Sequence, residues 1–315
     1  MANYSPGELA NFNYITEGAS YGTTPVTQLV WGCTVQSAKP KVNPHKEFHL
    51  GSTSRSFSDV TTGSWDVGLK LKGWGRATSG GYTWPNFWAY YGIGSATAMT
   101  EHLGSFSAEV RFEIAAAHVY WAFNGCKINK LTIKCDGAGQ IIDFEADILA
   151  QWLERSASKT LAGMQLGVVR GADAAEITTA MLTWSEVSHI TIAGSAEAHW
   201  YPKSWSIEVD NFLTPSMGNV YGADTNYYHC PIALNEGKRD IIFTCELDLE
   251  DEIYNAAKLA GTAITSIKMP IGSQLITLTN GEIMFEDDDL PEFKRDSAMT
   301  QPLRIKFKTI AVSTP

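Results

Sequence analysis

Apolar and polar residues alternate strictly through much of the chain from residue 105 onward. In "SFSAEVRFEI" Phe106, Ala108, Val110, Phe112 and Ile114 alternate with Ser105, Ser107, Glu109, Arg111 and Glu113. In "GQIIDFEADI" Ile142, Phe144, Ala146 and Ile148 alternate with Asp143, Glu145 and Asp147. A period of two puts each set on its own face of a strand. "AHVYWAFNG" and "INKLTIKCDGAGQIIDFEADIL" read as strand, turn, strand, turn, strand, the turns falling at "NG" and "DGAG", and "LITLTNGEIMFE" reads as a hairpin around Asn280 and Gly281. Residues 187–192, 205–210, 239–249, 263–269 and 302–312 repeat the alternation.

Helical periodicity is scarce. "LEDEIYNAAKLAG" is the clearest case: Glu250, Asp251 and Glu252 suit a helix N-terminus, Ile253, Ala256, Ala257 and Leu259 form a stripe, and Gly261 is a fitting stop. Residues 143–155 admit a helix as well as a strand. Residues 1–30 and 72–104, rich in Gly and aromatic residues without regular spacing, read as irregular segments.

At 315 residues with a hydrophobic fraction of 44%, the chain can bury a core without staples. Its five cysteines form no CxxC pair, and the odd count leaves at least one thiol free, which favours a reducing compartment. No apolar run reaches membrane-spanning length and the N-terminus lacks the pattern of a signal peptide, so a soluble protein made in the cytoplasm is expected, with no membrane insertion. A net charge of -10 argues against gripping a nucleic acid backbone.

Candidate chemistry is thin. "GASYG" matches the nucleophile-elbow pattern around Ser20, but Pro25 follows where a helix is required. "SASK" lacks companion motifs, and "HKEFH" places its glutamate wrongly for a zinc helix. "GWGRAT" and "GIGSAT" carry Thr78 and Thr97 where a dinucleotide fingerprint needs its third glycine. The acidic run Glu286 to Glu292 lacks calcium-loop spacing. No catalytic residue, metal or cofactor is expected. A rival reading comes from the ten tryptophans: a carbohydrate- or receptor-binding β-sandwich using Trp74, Tyr82, Trp84 and Trp88.

Acidic strand faces recur, at Asp143, Glu145 and Asp147, at Glu109 and Glu113, at Glu208 and Asp210, and at Glu246, Asp248 and Glu250. Lys130, Thr132 and Lys134 share a face of the preceding strand, so the natural hairpin register sets lysines opposite carboxylates. A broad sheet follows, wetted on one side and packed on the other.

The stretch "SFSAEVRFEIAAAHVYWAFNGCKINKLTIKCDGAGQIIDFEADI" resembles tail tube proteins (major tail proteins) of long-tailed phages and related archaeal tailed viruses. "SWSIEVDNFL", with its Asp-Asn strand end, "RDIIFTCELDLED" before a helix and "PLRIKFKTIAV" after it are similar to the family's later strands, and "LGSTSRSFSDVTTGSWDVGLKLKG" to its N-terminal portion. The resemblance implies a mainly β fold, a tail-tube-type β-sandwich or barrel with a flanking helix, long loops and an N-terminal arm. Residues 1–30 would be the arm and 31–315 one domain with insertions near 72–104 and 155–185. It implies a non-enzymatic virion protein of the tail, assembled in the host cytoplasm into rings, commonly hexameric, that stack into a tube for genome ejection. Tape-measure, tail-terminator and baseplate proteins would be partners, and DNA would pass through the lumen without specific binding. Asp143, Glu145, Asp147, Glu109, Glu113, Glu246 and Asp248 become candidates for the lumen wall, where repulsion keeps DNA from adhering. Tyr4, Phe12, Tyr14, Trp84 and Trp88 become candidates for contacts between subunits.

Overall fold

The computed structural model describes residues 11–17, 31–33, 35–48, 60–75, 92–93, 103–114, 117–156, 182–187, 190–192, 202–216, 231, 233–248, 260, 263–272, 274–283 and 300–313. Its strands are β1 (Asn11–Thr16), β2 (Trp31–Cys33), β3 (Val35–Phe48), β4 (Val60–Trp74), β5 (Phe106–Ile114), β6 (Ala117–Cys135), β7 (Asp143–Ala150), β8 (Trp152–Ser156), β9 (Thr191–Ile192), β10 (Ser204–Asp210), β11 (Thr214–Ser216), β12 (Ala233–Asn235), β13 (Asp240–Asp248), β14 (Ile264–Ile271), β15 (Gln274–Ile283) and β16 (Thr300–Ser313). The expected mainly β fold is the fold found, and residues 143–155 resolve as strand rather than helix. Of the helix expected after Leu249 only Ala260 is described, in helical conformation; the rest lies outside the described residues.

Strand β6 belongs to two sheets. Its first half pairs with β5 and β8, and β5 continues to β1 and β2. Its second half pairs with β7 and β10; β7 leads to β4 and β3, and β10 leads through β13, β16, β15 and β14 to β9. The "NG" at Asn124–Gly125 is therefore no turn. It lies inside the strand at a register shift opposite Ser107, where β6 leaves one sheet for the other, with Gly125 at φ 62°. A bulge of this kind bends the strand and leaves a backbone group unpaired in the ladder. The Glu17 carboxylate, buried, supplies the partner: it accepts from the Gly125 N–H at 2.7 Å and from the Ser107 hydroxyl at 2.8 Å.

The second "NG" also departs from expectation. Asn280, at φ 57°, lies within β15, which pairs with β14 on one side and β16 on the other. The hairpin turn falls earlier, between Ile271 and Gln274, with Gly272 at φ 54°. Asn280 is exposed, and the left-handed conformation that asparagine tolerates does not reverse the chain here. At the "DGAG" turn, as expected, Gly137 and Gly139 take positive φ and the chain reverses from β6 to β7.

Inward residues of both sheets form one cluster, including Tyr14, Phe106, Phe123, Leu131, Phe144, Ile207, Phe243, Leu278 and Phe307. Full burial of each large side chain contributes about 1.5–3 kcal/mol. Cys126, Cys135 and Cys245 are buried free thiols in this cluster. Burial, with Glu17 beside it, pushes the Cys126 thiol well above its ordinary 9.0, and burial, with Glu246, does the same to Cys245.

Two tests follow from the core. Glu17→Ala leaves the Gly125 N–H and Ser107 hydroxyl without their carboxylate and lowers unfolding stability by about 1–3 kcal/mol in urea denaturation. The thiols stay neutral in the fold but ionise when unfolded, so their contribution is intact below the ordinary thiol value of 9.0 and is lost as pH rises beyond it. Melting temperature is therefore expected to fall above that pH, and less steeply once Cys126 and Cys245 are replaced by alanine.

Candidate functional surface

The wetted face of the main sheet is built by register. In β7 the burial pattern alternates as the sequence requires: Phe144, Ala146 and Ile148 are buried, Glu145 is exposed, and Asp143 and Asp147 are half-buried. The neighbours decide the electrostatics. On the β6 side Lys134 lies opposite Asp143, Thr132 opposite Glu145 and Lys130 opposite Asp147, the arrangement expected from the sequence. On the β4 side Lys72 lies opposite Glu145 and Lys70 opposite Asp147, while Trp74 lies opposite Asp143. Each acidic position is thus flanked by a lysine on at least one side.

The same interleaving continues across the sheet. Lys130 Nζ lies 3.4 Å from Glu208, Lys306 Nζ 2.7 Å from Asp240 and Lys308 Nζ 3.4 Å from Glu282. Lys134 pairs with Asp136 at 2.8 Å, which raises its pKa above the ordinary lysine value, with Asp143 and Glu145 adding to the effect. Exposed pairs of this kind contribute little to stability. Their effect is on the field: a ladder of alternating signs cancels at distances beyond its own spacing.

Several expected positions differ. Glu109 does not lie on the wetted face: it is buried at 2%, because residues 106–110 of β5 are buried on both faces, Ser107 among them. Glu246 is half-buried on β13, next to Pro302 of β16 across the ladder. Glu113 and Asp248 hold strand positions in β5 and β13, and their side chains lie outside the described set. Tyr14 is not a free arm residue. It is buried at 2% and meets Phe106 edge-on, ring centroids 6.4 Å apart, because residues 11–16 form β1 and pair along β5. Phe12 holds a backbone position in the same strand, while Tyr4, Trp84 and Trp88 lie outside the described residues, as does Tyr82 of the rival aromatic platform. Trp74, the platform's remaining member, is half-buried in β4.

A polar node at the end of β10 carried no expected role. The Asn211 carboxamide, buried, donates to the Gly92 carbonyl at 3.1 Å and the Ile128 carbonyl at 2.9 Å, and accepts from Arg239 Nε at 2.7 Å. Arg239 also donates to the Ile93 carbonyl at 2.6 Å, and burial draws its guanidinium below the ordinary arginine value while Glu236 opposes the shift. Glu236 in turn accepts from Lys127 Nζ at 2.6 Å and from the Leu103 N–H at 3.0 Å. This network fastens residues 92–93 and 103 to the middle of β6, the end of β10 and the start of β13. The Asp-Asn pair was visible in the sequence as a strand end; its partners, far away in the chain, were not.

Among the described residues no group of three or more His, Cys, Asp or Glu could hold a metal ion. Among the described residues, two antiparallel ladders joined through β6 around one core, a separate β11–β12 pair, a wide charge-interleaved face and a polar clamp define an all-β structural module. The chain belongs to the phage tail tube protein family, whose model matches residues 15–307. Membership makes it a structural component of the virion tail. Among curated proteins none matches the chain.

Asn211→Leu is expected to strand the Arg239 guanidinium and two backbone carbonyls without their amide partner. A loss of about 2–3 kcal/mol in unfolding free energy, with faster backbone amide exchange at residues 92–93, is the expected result.

Proposed function

We propose that the chain assembles into rings that stack as the conduit of the tail, with the charge-interleaved face of β4, β7, β6, β10, β13 and β16 turned toward the passing DNA. The observation that carries this reading is the β7 register, which puts Lys70, Lys72, Lys130 and Lys134 across the ladder from Asp143, Glu145 and Asp147. A wall of unopposed lysines would clear counterions from DNA and hold it. Along β7 carboxylates answer the cations, which weakens the grip on a polyanion there, while at the edge of the face Lys39 of β3 lies opposite Lys70. Ring symmetry repeats the pattern around the bore. A hexameric ring and contacts with tape-measure, terminator and baseplate proteins belong to the same reading. The pairing of β3 with β4 supports it: residues 60–66 of β4 pair with β3 and, among the described strands, with no other, which leaves a hairpin available to a neighbouring subunit.

Electron microscopy of purified protein over a range of concentrations is expected to show rings with a central hole or stacked tubes; compact monomers under every condition would contradict the reading. In assembled tubes the pair Glu145→Lys and Asp147→Lys is expected to turn the wall adhesive. Tubes of this variant retain duplex DNA with steep salt dependence, whereas wild-type tubes do not; equal retention would remove this face from the conduit.

A further inference from the structure

Among the residues whose side chains the structure describes, Phe212 is the only large hydrophobic one that is exposed, at 48%. Its backbone is at φ 45°, a left-handed conformation that a bulky aromatic seldom adopts. Several contacts hold it there. The Phe212 N–H donates to the Asp210 carboxylate at 2.9 Å, the Leu213 N–H donates to the Asn129 side-chain carbonyl at 2.8 Å, and the Asn211 N–H donates to the Asn129 backbone carbonyl at 2.8 Å. Gly237 packs so closely that a Cβ there would lie 2.7 Å from the Phe212 carbonyl oxygen and 2.8 Å from its Cβ. The residues on either side, Asn211 and Leu213, are buried, while Phe212 between them is about half exposed.

Strain of this kind persists only where the surroundings over-determine it, and it clusters at functional sites. We infer that Phe212 is an anchor for a second copy of this chain, its ring seated in a neighbouring subunit of the tube. The inference rests on the tube reading above. A tube is made by contacts that join different patches of identical copies, so a single outward aromatic recurs at every such contact. Aromatic anchors at the centre of an interface carry much of its binding energy, and this one arrives already positioned, with little ordering left to do on association.

The test compares wild type with Phe212→Gly, Phe212→Ser and Phe212→Trp, following polymer formation by sedimentation and the unassembled chain by thermal melting. Phe212→Gly relieves the backbone strain, so its melting temperature is expected to hold or rise, while the concentration needed for assembly increases by about tenfold or more. Phe212→Ser is expected to lose assembly similarly and Phe212→Trp to retain it. With p-benzoylphenylalanine at position 212, irradiation of tubes is expected to give covalent dimers of the chain. Phe212→Gly tubes forming at wild-type concentration, or a fall in its melting temperature, would overturn the inference, the latter by showing that the ring packs within its own chain. Cross-linking only to another tail component would overturn it in favour of that partner. Wild-type protein that forms no polymer under any condition would defeat the tube reading itself, and this proposal with it.

Discussion

Backbone hydrogen bonding along β6 is the constraint on which the molecule depends. One strand must close a ladder with β5 and β8 over its first half and with β7 and β10 over its second. Where the two ladders meet, the register shifts at a bulge, and a bulge leaves a backbone donor that burial would make costly. Glycine at position 125 permits the bend and the Glu17 carboxylate satisfies the donor. The contact ties the end of β1 to the corner, so the N-terminal strand becomes part of the body of the fold.

With the corner set, the second half of β6 fixes what lies to either side. Its register with β7 aligns Lys134 with Asp143 and Lys130 with Asp147, and the register of β7 with β4 sets Lys70 opposite Asp147 and Lys72 opposite Glu145. A slip of one residue would carry Phe144, Ala146 and Ile148 into water and the carboxylates into the core, so burial enforces the charge pattern. The electrostatic character of the face is thus a by-product of core packing.

The two Asn-Gly pairs show where local reasoning stops. Both have the dipeptide favoured in tight hairpins, and both lie inside strands that continue past them. Local chemistry permits a left-handed residue at these positions; it does not say whether the chain reverses there. At residues 124–125 the presence of partners on both halves of β6 keeps it straight enough to continue, and at Asn280 β14 and β16 do the same for β15. Glu109 teaches a similar lesson. Its alternation with Ala108 and Val110 was legible, but alternation assigns faces, not exposure, and β5 has no wetted face over this stretch.

Period-two patterning by itself determined the β class, the location of β5, β7, β10, β13 and β16, and the facing of lysines and carboxylates between β6 and β7, because pleating leaves each side chain only two directions to point. It also carried the family likeness. The tertiary structure alone decided that β6 joins two sheets, that Tyr14 is core, and that Asn211, Arg239, Glu236 and Lys127 converge near the end of β10. Those contacts join residues separated by up to 146 positions, as between Arg239 and Ile93, and no local period encodes a pairing between segments so far apart. Phe212 belongs to the same class: its aromatic character was plain in the sequence, but its outward, left-handed placement exists only because Asp210, Asn129 and Gly237 surround it.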